Sequence, residues 1–445
     1  VSSLKLIPQS VITGRVSDED GDAVEGASIE VWKIAYPRGK RQLTNVERQR
    51  TNDQGEYRLA GLSPGRYFVS ASLNRGGGAR IGRGGQDTSS STSYVTTFYP
   101  NASGVGGAAP IDVAAGGDAR GIDFRLTKSS VFKVSGTVGG LPEAPAQAKG
   151  GRGGQVILVP RDPLAPRADF QMTPISATGS FEMNGVAAGA YYLIAAAAPS
   201  GGGRGGAAQR SVGRVSLDIT RGDVRNVSIR VNPAATVTGK VSVDGTNTSL
   251  NSVRIAFVPA ELAGIGGLGV GNVNVQVQAD GMFQTQLPAD VFNAEISGVP
   301  PGYYVKSIRS GGRDLTDATF DFTNSAAPVD IVLAAGGASI SGSVKNANGE
   351  PAAGVRVTLV PASGVSRRDL HVSMNSGDNG EFAFKALPPG EYQIFAWQEV
   401  DATAWMDAIF RKPFEGWSGK VRVDANAAPS VELNLIPKAL IAQSR

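Results

Sequence analysis

Any chemistry in this chain has to be built with one histidine and no cysteine. His371 stands in Arg367-Arg368-Asp369-Leu370-His371-Val372, which reads as the approach to a strand, so a surface or partly packed imidazole is expected. A zinc site would have to lean on carboxylates, an unusual donor set for a metal that favours His and Cys. A Ser-His-Asp arrangement lacks the Gly-x-Ser-x-Gly turn that would present its nucleophile. The acidic turn Asp18-Glu19-Asp20-Gly21-Asp22 offers the oxygens hard cations take. Without the spacing or terminal Glu of an EF-hand loop, it reads as a solvated hairpin turn. These residues assign no catalytic set, metal or cofactor, and the chain reads as non-enzymatic.

Binding chemistry has more material. Three Gly/Arg tracts, Arg75 to Gly85, Lys149 to Gly154 and Gly201 to Gly206, have the composition that meets anionic polymers, but no aromatics alternate with the arginines. They fall where loops belong and read as flexible insertions, with a surface anionic glycan as the other use. Trp405 and Trp417, with Phe414 between them, accompany Asp401 to Phe410, which is expected to form one short helix opened by an Asp or Thr cap. Aromatics beside a loop either stack on sugars or plug a sandwich end or an intersubunit contact, and Trp405, Trp417 and Phe414 are the candidates for both. Trp397 reads as a strand core residue.

The elements that would position these residues repeat four times. Each copy opens with Gly-x-Val, at Gly14, Gly136, Gly239 and Gly342, roughly 100 residues apart, an ordinary domain size. Each then carries a turn followed by an aromatic: Asp53-Gln54-Gly55-Glu56-Tyr57, Thr178-Gly179-Ser180-Phe181, Asp280-Gly281-Met282-Phe283 and Asn379-Gly380-Glu381-Phe382. A third mark, Pro64-Gly65-Arg66-Tyr67, returns as Ala188 to Tyr191 and Pro389 to Tyr392, and in degenerate form as Ala289-Asp290-Val291-Phe292. Between the marks, apolar residues alternate with period two, as in Val253, Ile255, Phe257 and Val355, Val357, Leu359, the signature of half-buried strands. Val159-Pro160, Val258-Pro259 and Val360-Pro361 end such strands, because Pro has no N–H to give a ladder. Short strands at this spacing predict an all-β chain of four tandem antiparallel sandwiches in an extended array.

The order Gly-x-Val, small-residue strand, Asp/Asn-x-Gly-Glu-Tyr/Phe, Leu-x-Pro-Gly-x-Tyr resembles the carboxypeptidase regulatory-like domain, which implies a transthyretin-like or Ig-like β-sandwich. The whole chain looks like the tandem arrays of such domains in secreted bacterial proteins, of a kind common in Acidobacteria. The fourth copy is the most family-like, and the third departs most, with Asp290 where the turn glycine belongs. The resemblance implies an accessory domain and brings no peptidase chemistry.

The expected boundaries are an N-terminal orphan strand at 1–10, sandwiches at 11–128, 129–233, 234–335 and 336–438, and a tail at 439–445. Leu4-Lys5-Leu6-Ile7-Pro8 matches the close of the fourth sandwich, Leu433-Asn434-Leu435-Ile436-Pro437, so the chain starts with what reads as a closing strand. Either it is the remnant of an upstream domain or it pairs with another subunit by strand addition. In the second case Leu4, Leu6 and Ile7 are the intersubunit strand candidates, with Leu440 and Ile441 of the tail as a matching apolar segment. With a net charge of only +4, no nucleic-acid partner is implied, and no apolar run approaches the roughly 20 residues of a membrane span. The leading expectation is a non-catalytic, secreted or cell-surface structural protein whose partner is itself, a homopolymer built head to tail into a filament or surface layer. The alternatives are a surface glycan-binding adhesin and a periplasmic accessory module of a larger system.

Overall fold

The computed structural model describes residues 8–73, 92–141, 154–166, 169–197, 211–245, 248–260, 271–362 and 367–443. They fall into two compact units, one of Val1–Ala35, Arg41–Ala197 and Arg214–Arg230, the other of Tyr36–Lys40, Ala198–Gly213 and Val231–Arg445. Nearly all the regular structure is strand.

Each copy of the sequence repeat is a pair of sheets. In the first, Ser10–Ser17 lies between Glu56–Leu62 and Phe124–Arg125, while Ser28–Ala35 and Gly65–Ser72 centre the second sheet with Gln42–Arg50 on its edge. In the second, Lys128–Gly139 lies between Ser180–Ala187 and Val224–Arg230, opposite Gln155–Pro160 and Gly189–Ala197. The third places Ala235–Asp244 between Met282–Leu287 and Val329–Ala335. In the fourth, Ser430–Ile436 pairs with both Ala338–Lys345 and Gly390–Trp397 and so joins the two sheets into one path. The strands Gln155–Pro160, Arg254–Pro259 and Arg356–Pro361 end on their prolines, as expected.

One feature differs from a purely antiparallel sandwich. The closing strand runs parallel to the opening strand in all four repeats, with Val16 beside Phe124, Gly136 beside Val227, Gly239 beside Val329 and Gly342 beside Val431. Alternation fixes which face of a strand is buried but is blind to the direction of its neighbour. A closing strand parallel to the opening one makes the chain enter a sandwich at one end and leave it at the other.

The opening glycine exists because of this neighbour. A methyl group at Gly14, Gly136, Gly239 or Gly342 would collide with the carbonyl oxygen of Ile122, Val227, Val329 or Val431. Across the other strand the same glycines pair with Tyr57, Phe181, Phe283 and Phe382, aromatics that cover the bare backbone from the core side. Tyr57 also donates its hydroxyl to the Ile122 carbonyl at 2.5 Å. The turn glycine two residues before each aromatic has positive φ, from +75° at Gly55 to +83° at Gly281, and its carbonyl accepts the N–H of the Val of Gly-x-Val.

The third mark fixes the other sheet. Tyr67, Tyr191 and Tyr392 donate back to the carbonyls of Ser63, Ala187 and Pro388, four residues upstream, at 2.6, 3.1 and 2.7 Å. The third repeat has no such hydroxyl. There Phe292 packs with Phe322, which also meets Phe257 and Phe320, and Asp290 receives the N–H of Val291 at 2.8 Å.

Gly239→Ala is expected to destabilise by about 1–3 kcal/mol, the usual range for overpacking. Gly222→Ala, where nothing lies within 4 Å of the added methyl, should stay within about 0.5 kcal/mol. Equal losses for the two variants in chemical denaturation would sink this account of the glycine.

Candidate functional site

The aromatics of the fourth repeat form a core of their own on the outer face of the second sheet. Trp397, Trp405, Phe395, Phe410, Phe414 and Ile436 are buried together, with Tyr36 packed against them. The Phe410 ring meets Tyr36 edge-on at 5.4 Å and tilts against Trp397 at 5.8 Å. Trp397 donates its indole N–H to Thr358 at 2.9 Å, and Trp405 donates to the Ala402 carbonyl at 2.8 Å. The first repeat repeats the device: Trp32 donates to Ser70 at 2.8 Å beneath a cover that includes Phe98 and Val105. A buried indole needs an acceptor, and a hydroxyl on the paired strand supplies it.

This arrangement corrects the sugar-platform expectation for two of its three residues. Trp405 is 1% exposed and Phe414 2%, so neither offers a ring face, whereas Trp417 is 37% exposed. The expected single helix is instead three short segments, Ala404–Met406, Ala408–Arg411 and Lys412–Trp417, and the cap is Asp407, which accepts the N–H of Phe410. The tail is also not a strand: Lys438–Gln443 is helical, with Leu440 exposed and Ile441 buried in the aromatic cluster. Pro437 stops the preceding strand, and its carbonyl receives the N–H of Leu440 at 3.1 Å. Leu4, Leu6 and Ile7 lie outside the described residues, as do Arg75 to Gly85, Gly201 to Gly206 and all but Gly154 of the tract from Lys149.

His371 is more buried than expected, at 9% exposure. Its Nδ1 lies 3.3 Å from the Arg367 carbonyl, and Trp405 is the nearest ring at 6.4 Å. Burial holds it down at about 4, with Arg411 and Arg368 adding to the effect, so the imidazole is neutral. Arg367 makes a two-point bond to Asp369 at 2.8 and 2.7 Å, and Glu295, raised by burial, faces Arg38 and Arg368. The ring is packed beside these charged groups, with no nucleophile hydrogen-bonded to it among the described residues. In the acidic turn, Asp18 accepts the N–H groups of Asp20 and Asp22, both at 3.0 Å, and Glu19 takes Lys128 at 2.6 Å, which accounts for the turn as local structure. Among the described residues, no three of His, Cys, Asp and Glu gather as a metal site, and no helix is long and apolar enough to cross a membrane.

Sequence reasoning missed a cavity of about 730 Å³ in the first unit, where the first two repeats meet. Thr92–Tyr94 pairs with Lys128–Ser130 to make one wall, and the loop around Asp169 with Tyr191 makes another. Asp169 accepts the Thr96 hydroxyl at 2.6 Å; burial pushes its carboxyl up to about 6, against the Thr96 bond and with Glu30 adding to the rise. Nothing in the local sequence around Asp169 marks it, because the cavity comes from the joining of two repeats.

The family model described as the carboxypeptidase regulatory-like domain matches residues 11–127 and 339–409, in the first and fourth repeats, so the resemblance drawn from the motifs stands there. No curated protein matches the chain. Solved structures similar to it include the Bacillus anthracis TIE protein, 12% identical over 98% of this chain and 75% of that one, with a TM-score of 0.19. A streptococcal ancillary pilin is 12% identical over 69% of this chain and all (100%) of that one, with a TM-score of 0.20. The major pilin subunit BcpA of Bacillus cereus is 12% identical over 96% and 99%, with a TM-score of 0.17. Scores this low carry no argument about function.

His371 and Asp169 respond to pH in opposite senses. His371, at about 4 when folded and 6.5 ordinarily, contributes stability that is complete above 6.5 and lost as pH falls toward 4. Asp169, at about 6 when folded and 3.8 ordinarily, contributes stability that is complete below 3.8 and lost as pH rises through 6. Each shift is worth on the order of 3 kcal/mol. Calorimetric melting across this range should show the second unit weakening with acid and the first gaining, and His371→Gln and Asp169→Asn should each remove one trend. Trends unchanged in both variants would overturn the assignment.

Proposed function

We propose that this chain is a non-catalytic structural protein of the cell exterior that joins copies of itself head to tail. The observation that carries the reading is the repeated sandwich in which opening and closing strands run parallel, because such a unit hands the chain on from one end to the other. Two further points support it. The aromatic and histidine side chains most suited to chemistry are used up in packing. The first and fourth repeats match the carboxypeptidase regulatory-like domain, and the resemblance of the whole chain to tandem arrays of such domains in secreted bacterial proteins favours the same reading.

In the assembly step, residues 1–8 of one copy take the place beside an opening strand that Ser430–Ile436 holds in another. The match of Leu4 to Pro8 with Leu433 to Pro437 is what supports this exchange. A strand of that sequence carries its apolar side chains at the spacing that the closing position buries, as at Leu433 and Ile436. A contact of this kind joins unlike surfaces and propagates as an open polymer.

Electron microscopy of the purified chain should show regular fibres, and deletion of residues 1–7, which stops short of the opening strand at Ser10, should leave dispersed particles with unchanged melting. Fibres from the truncated chain would remove strand exchange, and the absence of fibres from the full chain at high concentration would remove self-assembly itself.

A further inference from the structure

The cavity at the joint of the first two repeats has no part in the structural role proposed above. It lies within the first unit, and at about 730 Å³ it falls in the size range of small-molecule sites, which favour such joints. Its walls are rich in hydroxyls: Ser93, Thr96 and Ser103 from the first repeat, Ser129 and Ser130 at the start of the second, and Thr220. A hydroxyl both donates and accepts, so a wall of them matches a ligand that does the same.

One carboxylate sits among them. Asp169 Oδ1 takes the Thr96 hydroxyl at 2.6 Å, and no protein donor reaches Oδ2 among the described residues. Asp169 lines the cavity, which leaves Oδ2 as the acceptor it offers a ligand there. Val95, Phe132 and Pro160, all half-buried, supply apolar surface. This chemistry selects against other ligand classes. Among the described lining residues an anion would meet Asp169 and Asp162, with the exposed Arg221 as the one cation to offset them. A wholly apolar ligand would strand the carboxylate and the hydroxyls. A divalent cation would need more carboxylates than the site gathers among the described residues.

We infer that this cavity binds a neutral carbohydrate, seating one or two sugar units of a glycan, with adjacent sugar hydroxyls donating to Asp169 Oδ2 and trading hydrogen bonds with the Ser and Thr wall. The C–H faces of the sugar rest on Phe132 and Pro160. The site is distinct from Trp417, the one exposed aromatic left from the platform expected in the fourth repeat.

The full chain is tested on an array of neutral gluco-, manno- and galacto-oligosaccharides, and the best binder is then measured by titration calorimetry. Asp169→Ala should weaken it by about tenfold or more, as the loss of hydrogen bonds to a charged group does. Ala188→Trp, at an exposed position on the rim, should block it with the melting temperature unchanged. Trp417→Ala should leave it unaffected. No binding of any neutral oligosaccharide at millimolar concentration, a preference for acidic ones, or binding that survives both cavity substitutions would overturn the proposal. Fibre formation is a separate readout, so failure here and failure of the assembly reading are distinguishable.

Discussion

The close approach of the closing strand to the opening glycine is the constraint on which each sandwich depends. A side chain at Gly14, Gly136, Gly239 or Gly342 would push the carbonyl of the neighbouring strand away and break the parallel ladder at its start. The bare backbone this leaves on the core side is covered by an aromatic directly opposite, so the glycine and the aromatic act as one unit. The turn before the aromatic then places its carbonyl on the N–H of the nearby valine and locks the register. Two sequence marks thus describe a single corner of the fold. Because the ladder closed there is parallel, the chain emerges at the far end of the sandwich, and a tandem series needs almost no linker: Val329–Ala335 passes to Ala338–Lys345 through Gly336 and Gly337.

Once the corner is fixed, the second sheet is free to vary on its outer face. In the first and fourth repeats an insertion covers that face, and a tryptophan at its centre bonds to a hydroxyl on the paired strand. The consequence is visible in burial: Val357, Thr358, Leu359 and Val360 are all fully buried, although alternation alone describes a strand with one wet face. In the third repeat the change falls instead in the core, where four phenylalanines replace the hydrogen-bonded tyrosine of the other copies. Loss of the hydroxyl and gain of ring packing offset each other there, which explains how a repeat without the Gly-x-Tyr mark keeps the same sheets.

This division also explains what the amino-acid sequence revealed. The glycines, turn aromatics and terminal prolines were legible because each answers a local steric demand. The direction of the closing strand was not, since Val329, Ile331 and Leu333 alternate identically whichever way the neighbour runs. Trp405 and Phe414 looked like a surface platform because burial depends on what folds over them, and the cover is the same segment's own set of short helical turns. The tail at Leu440 and Ile441 read as strand from two apolar residues, too short a run to separate strand from helix. Asp169 was invisible for a stronger reason: its environment is assembled from two repeats, and no window of sequence contains both.

That last point bears on how the repeats behave in series. Four sandwiches with separate cores would open independently, as in solenoids whose neighbours interact weakly. In the first unit they are tied more firmly. Thr92–Tyr94 leaves the first repeat to pair with Lys128–Ser130 at the start of the second, and Leu164 of the second packs against the cluster around Trp32 and Phe98 of the first. Thr96 and Asp169 add a half-buried bond between the same partners. In the second unit, Gly336 donates to the Gly302 carbonyl of the third repeat while its own carbonyl accepts Asn426 of the fourth. Opening either member of such a pair exposes backbone groups and apolar surface of the other, so the cooperative element is the pair of sandwiches rather than the single repeat. A cavity formed at such a joint therefore keeps its shape only while both of its repeats are folded, which couples whatever it holds to the integrity of the pair.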